Sequence, residues 1–198
     1  MNKTTLTLGL ALAGFTATQA QLFHLGIDLS NPSSVVITAT AQPALANTAN
    51  TSLFDGATLL DFFTAPISPS AGGPLNGSIR PYSASLAYDG WTSDSVGSLD
   101  MDDLNLYTEG NFGNNPQIFG TFFQAFISSG SLDLSAFSAE LPALGAKGDI
   151  LSGYSGNFGP IVGQWEITAV PELPVAAHLA LYGAGFAGLA IYRRTRKS

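Results

Sequence analysis

From Gln21 to Ala169 glycine, proline, asparagine and serine interrupt the chain at short intervals, and no long apolar stripe of helical period survives between the interruptions. What remains is a series of short β-branched and aromatic runs, the pattern of many brief strands joined by turns. Residues 22–28 and 34–40 read as the first pair, linked by the turn-forming Leu29-Ser30-Asn31-Pro32-Ser33. Within 34–40, Val35, Ile37 and Ala39 take one face and Ser34, Val36, Thr38 and Thr40 the other. Weaker strand signals cover residues 58–64, 84–88, 104–108, 117–127 and 147–154, and the Pro/Gly-rich 65–77 reads as a surface loop. Residues 161–170 form the clearest strand: Ile161, Gly163, Trp165, Ile167 and Ala169 alternate with Gln164, Glu166 and Thr168, as in a half-buried antiparallel strand. Pro171, which has no N–H to give a ladder, ends it. The best place for a helix is 98–106, where Asp100, Asp102 and Asp103 precede Leu104 and Leu106. These signals predict an all-β, antiparallel β-sandwich or jelly-roll body over residues 21–169.

Packing alone must hold that body together, because the 198 residues include no cysteine. The same absence excludes thiol nucleophiles, Cys-ligated zinc, iron–sulfur clusters and an N-terminal lipidated cysteine. Between Gln21 and Thr168 only Arg80 and Lys147 oppose thirteen acids, a net charge of −11. A body so acidic repels phosphate backbones, so nucleic acid is excluded as a partner.

The two ends carry different information. Lys3, an apolar run from about Leu6 to Phe15, and small Thr18 and Ala20 make residues 1–20 a secretion signal, with signal peptidase cutting before Gln21. Residues 173–192 contain no formal charge, and twenty helical residues at about 1.5 Å each reach the roughly 30 Å of a hydrocarbon core. Arg193, Arg194, Arg196 and Lys197 follow directly and by the positive-inside rule stay cytoplasmic, leaving the body on the far side. The expected chain is therefore signal peptide, β body, and a single C-terminal transmembrane helix. His178 lies within the span, near its outer end.

Val170-Pro171-Glu172-Leu173-Pro174, the apolar span and the terminal basic cluster together resemble the tripartite sorting signal of PEP-CTERM proteins of Gram-negative bacteria. Pro171 and Glu172 match the motif's first two positions; Leu173 stands where the second proline is usual, and Pro174 follows. The resemblance implies an exosortase as partner, cleavage near the Pro-Glu dipeptide, and delivery to the cell surface or an exopolysaccharide matrix. It covers about thirty residues of the 198 and concerns address, not the body's activity. A plain stop-transfer anchor would need the span and the charges but not the dipeptide.

Chemistry-bearing patterns in the body are sparse. His24 is its one histidine, and no Gly-x-Ser-x-Gly elbow accompanies it, so an ordinary strand histidine outweighs a catalytic one. A carboxylate pair for glycoside hydrolysis would have to come from Asp89, Asp94, Asp133, Glu140, Asp149 and Glu166, whose separations sequence does not fix. Asp100, Asp102 and Asp103 are candidate calcium ligands, although Leu104 and Asn105 stand where an EF-hand loop needs a ligand and a glycine. Otherwise no cofactor is expected. Tyr82, Tyr88 and Trp91, with the phenylalanines between Gly110 and Ile127, are candidate carbohydrate contacts, with core filling as the competing role. The functional expectation is a non-enzymatic structural or adhesive surface protein, with exopolysaccharide binding as the alternative.

Overall fold

The computed structural model describes residues 23–50, 56–68, 70–94, 101–108, 117–153 and 158–171. The expected signal peptide, membrane span and basic cluster lie outside these residues, and no helix among the described residues is long and apolar enough to cross a membrane.

The described chain is built of strands and two 3-10 turns. The strands are β1 (Leu25–Asp28), β2 (Val35–Ala39), β3 (Thr48–Asn50), β4 (Gly56–Leu59), β5 (Gly72–Pro74), β6 (Asn76–Gly77) and β7 (Arg80–Pro81). They continue as β8 (Gly90–Asp94), β9 (Asp103–Tyr107), β10 (Gln117–Phe119), β11 (Phe126–Ile127), β12 (Ser129–Leu132), β13 (Lys147–Ser152) and β14 (Ile161–Ala169).

Ten of them form one ladder in the order β5-β8-β9-β4-β13-β14-β1-β2-β12-β6, with β10–β3 and β11–β7 as separate short pairs. The two edge strands, β5 and β6, are separated in sequence by Leu75 alone, so the sheet must curl until its edges nearly meet. The all-β expectation holds, but hydrogen bonding runs unbroken through ten strands where two stacked sheets were expected. The ladder is antiparallel except where β1 lies parallel to β14, Leu25 opposite Trp165. That single parallel pair brings the first and last described strands together at the centre of the sheet.

Alternation decides which side chains enter the core. Leu25, Ile27, Val35, Ile37, Leu59, Leu104, Leu106, Ile150, Trp165 and Ile167 are all buried. Trp165, Phe62, Phe63, Phe137 and Trp91 form a chain of aromatic contacts with centroids 5.0 to 6.3 Å apart. The Trp165 indole N–H, which burial would otherwise strand, donates to Leu60 O at 3.1 Å. In β14 the expected alternation holds from Gly163 to Thr168 but breaks at its start: a bulge opposite Ile150 and Leu151 buries Val162 and exposes Ile161.

Four local expectations need correction. The helix proposed for 98–106 gives way over its described part to β9, because Leu104 and Leu106 alternate with Asp103 and Asn105 at period two. The expected loop 65–77 contains the edge strands β5 and β6, and no strand forms at 84–88. Residues 117–127 split into β10 and β11 around the turn at Thr121 and Phe122.

Candidate functional site

Among the described residues, the exposed aromatic side chains lie on β10's neighbouring segments. The Ser83 hydroxyl donates to Ile118 O (2.6 Å) and accepts the Ile118 N–H (2.7 Å), which clamps the turn carrying Tyr82 to β10. Beyond β10, Asn47 Oδ1 accepts the Thr121 N–H at 3.0 Å and fixes the turn carrying Phe122 and Phe123. Gly120 lets the Phe123 ring lie against the backbone: a Cβ at that position would sit 2.5 Å from the ring. Tyr82 and Phe123 then tilt at 35° with centroids 5.4 Å apart. Tyr82 is 52% and Phe122 94% exposed. A shallow hollow of about 270 Å³ lies beside Phe123, lined by Asn47, Thr48, Ile118, Phe119, Gly120 and Phe123 itself.

The three aromatic residues named from sequence do not share a platform. Tyr82 belongs to the surface just described. Tyr88 is core, 1% exposed, its hydroxyl donating to Gln117 Oε1 at 2.9 Å while Gln117 Nε2 donates to Gly56 O. Trp91 is buried on β8 beneath Gly73 and meets the Phe137 ring at a groove of about 330 Å³ that Asp133 also borders. Sequence reasoning placed Phe122 and Phe123 among the aromatic-rich residues but could not separate exposed from core members; the turn at Thr121 makes that distinction.

Of the acidic candidates, Asp102 and Asp103 come together with a residue the sequence did not suggest. Pairing of Leu59 with Leu104 carries the chain after β4 alongside the start of β9, so the carboxylates of Asp61, Asp102 and Asp103 fall within 4.8 Å of one another. Asp103 Oδ1 accepts the Asp61 N–H at 2.9 Å, and Asp61 adopts φ +52. Calcium takes six to eight oxygens, so this trio would need bidentate carboxylates, carbonyls or waters to complete a shell. The nearby carbonyls of Met101 and Asp102 already accept the N–H groups of Ile67 and Phe63. Asp100 lies outside the described residues, as do Glu172, Leu173 and Pro174 of the sorting motif and Arg193, Arg194, Arg196 and Lys197. Val170 packs partly buried against the core, and Pro171 is exposed.

His24 is 3% exposed and both its ring nitrogens are engaged: Nδ1 accepts the Gln164 N–H at 3.0 Å and Nε2 faces Pro43 O at 2.9 Å. Only the neutral ring protonated on Nε2 satisfies both. Burial lowers its pKa below the ordinary histidine value, opposed by the hydrogen bond to Pro43 O. The ring is a structural fastener between the start of β1, the Pro43 segment and β14.

No known protein family, curated protein or solved structure matches the chain.

Proposed function

We propose that the chain is an exported protein of the Gram-negative cell surface or extracellular matrix, with a structural or adhesive role and no catalytic one. The observation that carries this reading is the order in the sequence of Pro171-Glu172, an uncharged span of twenty residues, and a terminal basic cluster. Signal peptidase removes residues 1–20, the span holds the body at the membrane, and an exosortase cuts near Pro171-Glu172. The position of that motif supports the reading: β14 ends at Ala169 and Pro171 is exposed, so a cut beyond it removes none of the described strands.

Intact-mass and terminal-peptide analysis of the protein from a host with its exosortase, and from the same host lacking it, tests the assignment. The expected product runs from near Gln21 to near Pro171-Glu172 in the first and retains residues 173–198 in the second. Retention of the tail in both would reduce the signal to a plain membrane anchor.

A second reading, favoured by the exposed Tyr82–Phe122–Phe123 surface, makes the body a binding module for exopolysaccharide. The two are compatible, since an address and a ligand site occupy different parts of the chain.

A further inference from the structure

Phe122 stands almost fully in solvent on a turn that hydrogen bonds hold in place, and Tyr82 stands half in solvent on another. Leaving two large rings exposed forgoes the stabilisation that burying them would bring, and the fold clamps both turns rather than collapsing them onto the core. The polar groups that line the hollow or sit next to the rings in the chain are amides and hydroxyls: Asn47, Thr48, Ser83 and Thr121. With Asn47 Oδ1 occupied by Thr121, its amide nitrogen is the group left to donate to a ligand.

Charge selects among ligands. The hollow has neither a basic residue to hold a phosphate, sulfate or uronate nor an acid to hold a cation, and the body around it carries a net charge of −11. A polyanion is repelled, and a neutral ligand is not. Rings that offer flat apolar faces, with amides and hydroxyls at their rims, match a pyranose, whose C–H faces are apolar and whose equatorial edge is ringed by hydroxyls. We propose that the Tyr82–Phe122–Phe123 surface binds a neutral hexose polysaccharide, with sugar rings stacked on Phe122 and Tyr82 and hydroxyls bonded at Asn47 and Thr48. The assignment rests on the exopolysaccharide reading above and adds to it the site and the charge class of the ligand.

The test is affinity gel electrophoresis of the full-length chain in mild detergent, through gels containing dextran, laminarin or galactomannan, with alginate as the anionic comparison. Retardation by at least one neutral polymer and none by alginate is the expected result. Phe122→Ala and Tyr82→Ala should each weaken binding about tenfold, the scale of one lost aromatic stacking contact. Both positions are exposed, and an unchanged melting temperature confirms that the variants fold. Gly120→Ala should weaken binding as well, by displacing Phe123. The proposal is overturned if no neutral polymer retards the protein, if alginate retards it equally, or if a variant carrying both Phe122→Ala and Tyr82→Ala binds like the parent. It is equally overturned if Phe122→Ala abolishes a concentration-dependent self-association in place of glycan binding, because the surface then docks a second copy. Tail cleavage, read by mass, is independent of these outcomes, so failure of the site and failure of the sorting assignment are separable.

Discussion

Acidification through the histidine range should loosen this fold, and His24 should be the cause. Its neutral imidazole accepts the Gln164 N–H and donates to Pro43 O, so a second proton on Nδ1 would face a backbone donor and break the bond that holds it. Burial lowers the folded pKa below the ordinary value of 6.5, so between those two values the unfolded chain binds the extra proton and the folded chain does not. Stability is therefore fully present above pH 6.5 and declines as pH falls toward the folded pKa. One proton gives a slope of at most about 1.4 kcal/mol per pH unit. For a body of this size that corresponds to a fall of about 3–6 °C in Tm per unit. Asp149, opposite Gln164 on β13, accepts a hydrogen bond from the Gln164 side chain. Asp28 and Asp133 act in another window: hydrogen bonds from Ser30 and Ser135 lower their pKa values, so what they contribute is lost only in more acid solution, below about pH 4. Thermal melts of parent and His24→Asn between pH 7.5 and 5.0 provide the assay. Asparagine keeps an acceptor near Nδ1 without titrating, so the variant should be less stable at pH 7.5 by about 1–3 kcal/mol and flat where the parent slopes. Gly163→Ala should reproduce the loss at neutral pH, since a Cβ there would lie 2.7 Å from the His24 ring. A parent that gains stability on acidification, or a variant that keeps the parent's slope, would refute this reasoning.

Two further predictions concern other buried polar groups. Tyr88→Phe removes the donor to Gln117 Oε1 and should cost about 1–3 kcal/mol in urea unfolding, with little change in far-UV circular dichroism; a neutral effect would show that Gln117 finds another partner. Asp103→Ala removes the acceptor of the Asp61 N–H and should lower Tm by several degrees, whereas calcium at 10 mM should leave the parent Tm within about one degree, because Asp103 Oδ1 and the carbonyls of Met101 and Asp102 already accept backbone hydrogen bonds. A rise of several degrees that Asp102→Asn abolishes would instead establish a metal centre.

The parts of the fold visible in the sequence were those whose period is local. Val35/Ile37 in β2 and Trp165/Ile167 in β14 alternate cleanly, and both strands form with those residues inward. β9 was harder to read because the aspartates ahead of Leu104 resemble a helix start, and a five-residue strand gives the alternation little room. β5 and β6 carry glycine, proline and asparagine, residues with turn preferences, and become strands only because β8 and β12 offer ladders to edge segments. The same distinction governs the sites. Tyr82, Tyr88 and Trp91 look alike as aromatic residues within ten positions, yet one is half exposed and two are core, a division made by strand partners far away in sequence. Asp61 reaches Asp103 only through the β4–β9 register, across 42 positions.

That dependence on distant partners is greatest at β14, which closes the body. β1 can pair with β2 as soon as both exist, but its other edge waits for Leu25 to meet Trp165 and Ile27 to meet Ile167. β13 likewise waits for β14 on one side, so the centre of the sheet is assembled by the last strand before Pro171. Under the proposed route, the membrane span follows that strand within a few residues and would hold the chain at the membrane while the long-range ladder forms. Cleavage near Pro171-Glu172 would then fall after the last described strand, sparing every described ladder hydrogen bond, and the released body would keep the contacts that His24, Trp165 and the β1–β14 pair provide.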